Sequence, residues 1–318
     1  MRVIAVLGPQ RLQPTVATVA DSLEIARPIA LVTAGWQERE SEDEELRQHL
    51  GEGSPNLELY RRAIELAEDD EELAAAYRER QSRLRYLQEL YRVRLGHLLD
   101  AARELLARRD EAEALERERD EAIATVRDLD RRHLERVDAV HAEFEERYRP
   151  SERTRVARHR REIAELLAPC SALAVAGGHV AGLLNRMRLF GVLELLGPKP
   201  ILAWSAGAMA LASRIVLFHD HPPQGAGNTE VLDSGLGAFP GLLPFPNARR
   251  RLRLRDPRRV SLLARRFAPF DCAVLDEGDQ LFWNGGLWSS PQPIRLLTPK
   301  GSVTSHTGRL EPASDDAG

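Results

Sequence analysis

Between about Asn56 and Ala168 the chain has almost no glycine, its prolines fall only at Pro150 and at Pro169 just beyond, and Glu, Arg, Ala and Leu dominate. A stretch without turn residues and with this composition cannot supply short strands and tight connections; it predicts long helices. Apolar residues recur three and four apart at Leu84, Leu87, Tyr91, Leu95, Leu98, Ala102 and Leu105. A second stripe runs through Ile123, Val126, Leu129, Val137, Val140, Phe144 and Tyr148. Two helices folded back through a turn at Arg108-Arg109-Asp110 would bury one stripe on the other as an antiparallel hairpin. Pro150 stops the second helix, and Ser151 with Glu152 opens another. Pairs such as Glu116 and Arg119 suit a solvated face and require no partner.

On either side of this block the pattern changes to short apolar runs ending in turn residues. Val3–Leu7, Ile29–Val32, Leu173–Ala176, Ile201–Trp204 and Cys272–Leu275 read as strands of one mainly parallel sheet. Gly177 and Gly178 follow the third run, and Leu183, Leu184, Met187, Phe190 and Leu193 then recur at helical spacing. Successive strand–turn–helix units build an α/β sheet that binds ligands at the carboxyl ends of its strands. The expected fold is therefore α/β, a mainly parallel flavodoxin-like sheet flanked by helices and interrupted by a projecting helical hairpin. Residues 1–55 and 169–305 are expected to form the α/β domain, 56–168 the insertion, and 306–318 a disordered tail.

The 318 residues are enough for a sizeable core. A net charge of −4 argues against a general nucleic-acid binder. Two cysteines, Cys170 and Cys272, give no disulfide framework and read as buried thiols of a reducing compartment. MRVIAVLGPQ reads as a strand, not a signal sequence, and no apolar run reaches membrane-spanning length. A cytoplasmic protein is expected, without membrane or nucleic-acid partners, cofactor or metal.

The run PILAWSAGAMALA, Pro200–Ala212, breaks at Ser205 and resumes as a small-residue helix. One reading is a nucleophile elbow, whose strained serine needs the small neighbours Ala203, Ala206, Gly207 and Ala208. The other is an ordinary Ser-Ala-Gly turn after a buried strand. The usual elbow carries glycine two residues before the serine, where this chain has Ala203. The Gly177-Gly178 turn leaves backbone N–H groups free, and such donors stabilise an oxyanion when they face a nucleophile.

AVAGGHVAGLLNRMRLFGVLELL, PILAWSAGAMALA, SGLGAFPGLLPFPNARRRLRL and CAVLDEGDQLFWNGG together resemble the peptidase E and cyanophycinase group, serine peptidases with the class I glutamine amidotransferase-like fold. The resemblance covers roughly residues 170 to 300 and the first strands. It implies that Ser205 is the nucleophile and that the N–H groups of Gly178 and Ala206 form the oxyanion hole. It also places Glu277 in the acidic segment completing a triad, the alternative being an exposed turn carboxylate. It places the family histidine at Asn247, which cannot accept the serine proton at neutral pH. Either the triad is idle or another group has taken the role.

His179, after the Gly-Gly turn, and His219 or His221, beyond the serine helix, are placed by sequence where a replacement base would lie. The alternative for His179 is a helix cap, and for the other two a solvated loop. His219-x-His221 with Asp220 is too sparse for a zinc site. The resemblance makes Arg249 and Arg251, with Arg253, candidates for binding an acidic substrate, beside Asn247. Two functions are left open. The first is a serine peptidase-like hydrolase acting weakly or not at all on peptide or isopeptide bonds near acidic residues. The second is a non-catalytic ligand-binding or scaffolding protein whose helical arm docks a second copy or a protein partner. An amidotransferase is disfavoured, because the corner holds Ser205 and neither cysteine lies at an elbow.

Overall fold

A computed structural model describes residues 2–108, 113–220 and 227–312. The chain opens with β1 (Ile4–Leu7), α1 (Val16–Ser22), β2 (Ile29–Val32) and α2 (Glu44–Leu50). Helices α3 (Leu59–Asp69), α4 (Glu71–Ala107), α5 (Glu113–Tyr148) and α6 (Thr154–Leu167) follow. The α/β pattern then resumes with β3 (Ala172–Val175), α7 (Val180–Leu189), α8 (Val192–Leu196), β4 (Ile201–Trp204) and α9 (Ala206–Leu211). After these come β5 (Arg214–Leu217), β6 (Glu230–Ser234), β7 (Leu242–Pro246), α10 (Ala248–Arg251) and α11 (Pro257–Phe267). The last strands are β8 (Asp271–Leu275), β9 (Gln280–Trp283), β10 (Trp288–Ser289), β11 (Ile294–Leu297) and β12 (Val303–His306).

The main sheet has the order β10-β9-β1-β4-β3-β2, with β1, β4, β3 and β2 parallel, β9 antiparallel to β1 and β10 antiparallel to β9. Its parallel strands are wholly buried and apolar, because helices cover both faces. Alternation decides which face each residue serves. Ala5, Leu7, Leu31 and Leu202 pack with α1 and α2, while Ile4, Val6, Val32 and Ala203 pack on the side of α3, α6 and α7. The α/β class and the long helical insertion match the sequence expectation.

Cys272–Leu275 does not join that sheet. It pairs in parallel with β7 in a second sheet of order β12-β11-β8-β7, and β5 with β6 forms a separate ribbon. The short apolar run is a strand, but nothing in four residues encodes which neighbour they take. The expected tail is also partly ordered: His306 ends β12, and Leu310 pairs with Trp288 through both backbone groups. Residues 313–318 lie outside the described residues, as do Arg109 and Asp110 of the expected turn.

The hairpin forms, but it does not project freely. Helix α5 runs along β6, and α11 packs against both long helices. Tyr91, Leu95, Leu99 and Ala102 therefore share a core with Val126 and Leu129 and also with Val231 and Leu263. Leu84, Leu87, Leu98 and Leu105 of the expected stripe are only half-buried, because a third layer turns the buried arc of α4. A polar network fastens this layer. The Arg266 guanidinium donates to both carboxylate oxygens of Asp130 at 2.7 and 2.8 Å, and to the Thr229 carbonyl at 2.7 Å. The Tyr91 hydroxyl donates to Asp130 at 2.7 Å and accepts from Val231 N–H. His133 stacks on Tyr91 with ring centroids 4.1 Å apart and bonds Gln88 at 2.9 Å. Among the described residues, no helix is long and apolar enough to cross a membrane.

Candidate functional site

Four parallel strands end together at one edge of the main sheet, and their following segments form a cavity of about 990 Å³. Ser205 lines it, at the corner between β4 and α9. Its backbone is at φ 51°, ψ −122°, a region that a non-glycine residue occupies only when its surroundings hold it there. Two features impose this corner. Gly207, the second residue of α9, lies so close to β3 that a Cβ on it would sit 2.3 Å from the Val175 carbonyl oxygen. Gly177 lies against the serine itself, where a Cβ would fall 2.8 Å from Ser205 Cβ. The small residues around the serine therefore answer a steric demand, and Ala203 two residues upstream satisfies it within β4.

Gly178 lines the same cavity at φ 114°, packed on Gly35, where a Cβ would be 2.2 Å from the Gly35 carbonyl oxygen. Among the described residues, the N–H groups of Gly178 and Ala206 make no hydrogen bond. The loop after β1 forms another wall. Gln10 Oε1 accepts from Thr15 and Val16 N–H at 2.6 and 2.8 Å, tying the loop to the start of α1.

The second sheet supplies the opposite side. Gly8 N–H donates to the Asp279 carbonyl at 2.8 Å, which brings the β8 turn against the end of β1 and carries Glu277 to the cavity. Asn247, at φ 59°, follows β7; its N–H donates to the Leu275 carbonyl at 2.6 Å and it lines the cavity. Arg250 and Arg251 line it too. Burial pushes the Arg251 guanidinium below its usual pKa, and no salt bridge reaches it among the described residues. Arg249 turns away from the cavity: its N–H and Nε reach the Asp276 carboxylate at 3.0 and 3.3 Å. Successive residues of a short helix point about 100° apart, so the arginine run cannot all face one way.

The histidines separate. His219 lines the cavity. His179 does not: its Nδ1 accepts from Gly182 N–H at 3.0 Å and caps α7, and its ring faces a different cavity. The helix-capping reading of His179 holds, and its placement beside the serine is corrected. Asp220 is held by Arg259 at 2.6 Å and by Arg253 N–H at 2.8 Å, and His221 lies outside the described residues.

Several lining groups carry no signal in the sequence. Trp36, Glu45 and His49 come from the segment after β2, which carries no motif. Arg92 comes from α4 and pairs with Glu230 at 2.8 Å, both on the cavity wall. The hairpin is thus part of this cavity. Only its docking against β6 puts Arg92 there, and no local pattern announces that.

No family model matches the sequence, and no curated protein matches it. Among solved structures, the chain is similar to the crystal structure of a peptidase from an acI-B1 Actinobacterium. That alignment covers 98% of this chain and 97% of the other at 11% identity, with a TM-score of 0.44. A likeness this distant bears on neither the residues of the site nor their chemistry.

Proposed function

We propose that the protein is a serine peptidase-like hydrolase whose nucleophile elbow carries Ser205 and whose activity is weak for want of the usual histidine. The observation that carries this reading is the strained backbone of Ser205 at the open edge of the sheet, lining one cavity with Gly178 and Ala206, whose N–H groups make no hydrogen bond among the described residues. In the reaction, Ser205 Oγ attacks an acyl carbon while its proton passes to a base. The carbonyl oxygen takes up the negative charge, and the two N–H groups stabilise it. The acyl–nitrogen bond then breaks as the amine receives a proton, and water releases the acyl group from Ser205. His219 is the candidate base and Glu277 the candidate acidic partner. Arg250 and Arg251 favour a substrate with an acidic group beside the scissile bond.

The second reading is a non-catalytic ligand-binding or scaffolding protein, and Asn247 favours it, since it lines the cavity where the resembling family has its base. A fluorophosphonate probe distinguishes the two. Under the hydrolase reading the native protein labels slowly at Ser205, Ser205→Ala abolishes labelling, and His219→Ala reduces it further. Asn247→His raises labelling by about 10²–10⁴-fold, the usual contribution of a general base. Native and Asn247→His proteins that both stay folded and unlabelled would leave the binding reading standing.

A further inference from the structure

A second cavity of about 610 Å³ lies between α3, the start of α4 and α7, within the volume range of small-ligand sites. Buried Leu66, Leu73 and Leu189, with Tyr77, make its apolar lining. Ile64, a lining residue that is 43% exposed, is among the few large apolar side chains open to solvent. Its charged lining is of one sign. Arg78, Arg85 and Arg186 contribute, joined by His179, and among the described residues no carboxylate lines it. Among the described residues the buried Arg186 Nε has no hydrogen-bond partner, and burial pushes the guanidinium below its usual pKa. Glu40 and Glu38 attract Arg186 but are engaged by Tyr60 and Arg61, outside the cavity.

An apolar chamber with a cationic, acid-free rim matches one ligand chemistry. We propose that this cavity binds a single-chain amphiphile with an anionic head. Its aliphatic chain lies against Leu66, Leu73, Tyr77 and Leu189, and its carboxylate or phosphate against Arg78, Arg85 and Arg186. Neither the chamber nor its charges belong to the Ser205 site, so the inference is independent of the hydrolase reading. The two cavities are nonetheless back to back. Gly178 and Trp36 line the first, and the next residues, His179 and Gln37, line the second. Gln37 holds φ 59°, ψ −123°, so this shared wall is strained on the β2 side as it is at Ser205.

Titration calorimetry on the full chain tests the site with octanoate, decanoate and decyl phosphate below their micellar concentrations, and with decyltrimethylammonium and acetate as controls. One anionic amphiphile binds per chain, affinity rises about three- to fourfold per methylene, and acetate and the cationic amphiphile do not bind. A preference for decanoate or for decyl phosphate identifies the head group. The exposed-rim double variant Arg78→Glu/Arg85→Glu keeps the native melting temperature and weakens binding at least tenfold; Ala74→Trp, which fills the chamber, abolishes it. The proposal is overturned if neither anionic amphiphile binds, if decyltrimethylammonium binds as well as decanoate, or if the folded Arg78→Glu/Arg85→Glu protein retains native affinity.

Discussion

Replacing Asp130 by alanine tests the fastening of the hairpin. The two side chains of the Arg266–Asp130 pair are 1% and 2% exposed. The variant leaves the guanidinium buried with only the Thr229 carbonyl and the Tyr91 hydroxyl as acceptors. Removing one member of such a pair costs about 3–5 kcal/mol, because the survivor stays desolvated without compensation. That is a large share of the roughly 5–15 kcal/mol that holds a folded protein together. At about 2–4 °C per kcal/mol for chains somewhat shorter than this one, melting falls by about 6–20 °C. Removing both charges is different, since burial of the pair costs nearly what its attraction returns. Asp130→Leu/Arg266→Met is expected within about 1–2 kcal/mol of the native protein. Urea unfolding followed by far-ultraviolet circular dichroism measures Asp130→Ala and, beside it, the cycle of Asp130→Leu, Arg266→Met and their double variant. A loss below 1 kcal/mol in Asp130→Ala, or a double variant as unstable as the summed singles, would refute the reasoning.

Gly207→Ala should destabilise, although glycine-to-alanine inside a helix ordinarily gains about 1 kcal/mol. The new Cβ would meet two buried carbonyl oxygens, at 2.3 and 2.9 Å, so an overpacking cost of about 1–3 kcal/mol wins; a raised urea midpoint would contradict it. His133 makes stability depend on pH. Burial lowers its pKa below 6.5, so the unfolded chain takes up a proton that the native ring refuses. Its contribution is complete above about pH 7 and declines as pH falls through 6.5 towards the depressed value, where the native ring also protonates. The urea midpoint should therefore drop between pH 7.5 and 5.5, and drop less in His133→Phe; equal slopes in the two proteins would exclude this role.

What the sequence shows plainly is what neighbouring residues decide among themselves. Strand runs, the Gly177-Gly178 turn, the long helices and the corner at Ser205 are local events, and each is where periodicity places it. Partners distant in sequence were invisible. Asp130 reads as one more solvated charge until Arg266, far along the chain, is brought against it. Leu84 and Leu98 look equivalent to Leu95 until β6 and α11 turn the buried arc. Asn247, Glu277 and His219, far apart in the chain, all line one cavity. His179 and Arg249 do not, because the direction of a side chain at a helix start or in a one-turn helix depends on the bond it makes.

The order of strands has a consequence for how the molecule is made. β1 is flanked by β4 and β9, so Ile4 faces Ile201 on one side and Trp283 on the other. During synthesis at about 5–20 residues per second, the apolar strand IAVL waits roughly 10–40 s before its first sheet neighbour exists. The α4–α5 pair, joined by a short connection, needs no such wait. A nascent chain halted before residue 201 would carry a formed hairpin and an unpaired, wholly apolar strand, the kind of segment that chaperones shield until its partners emerge.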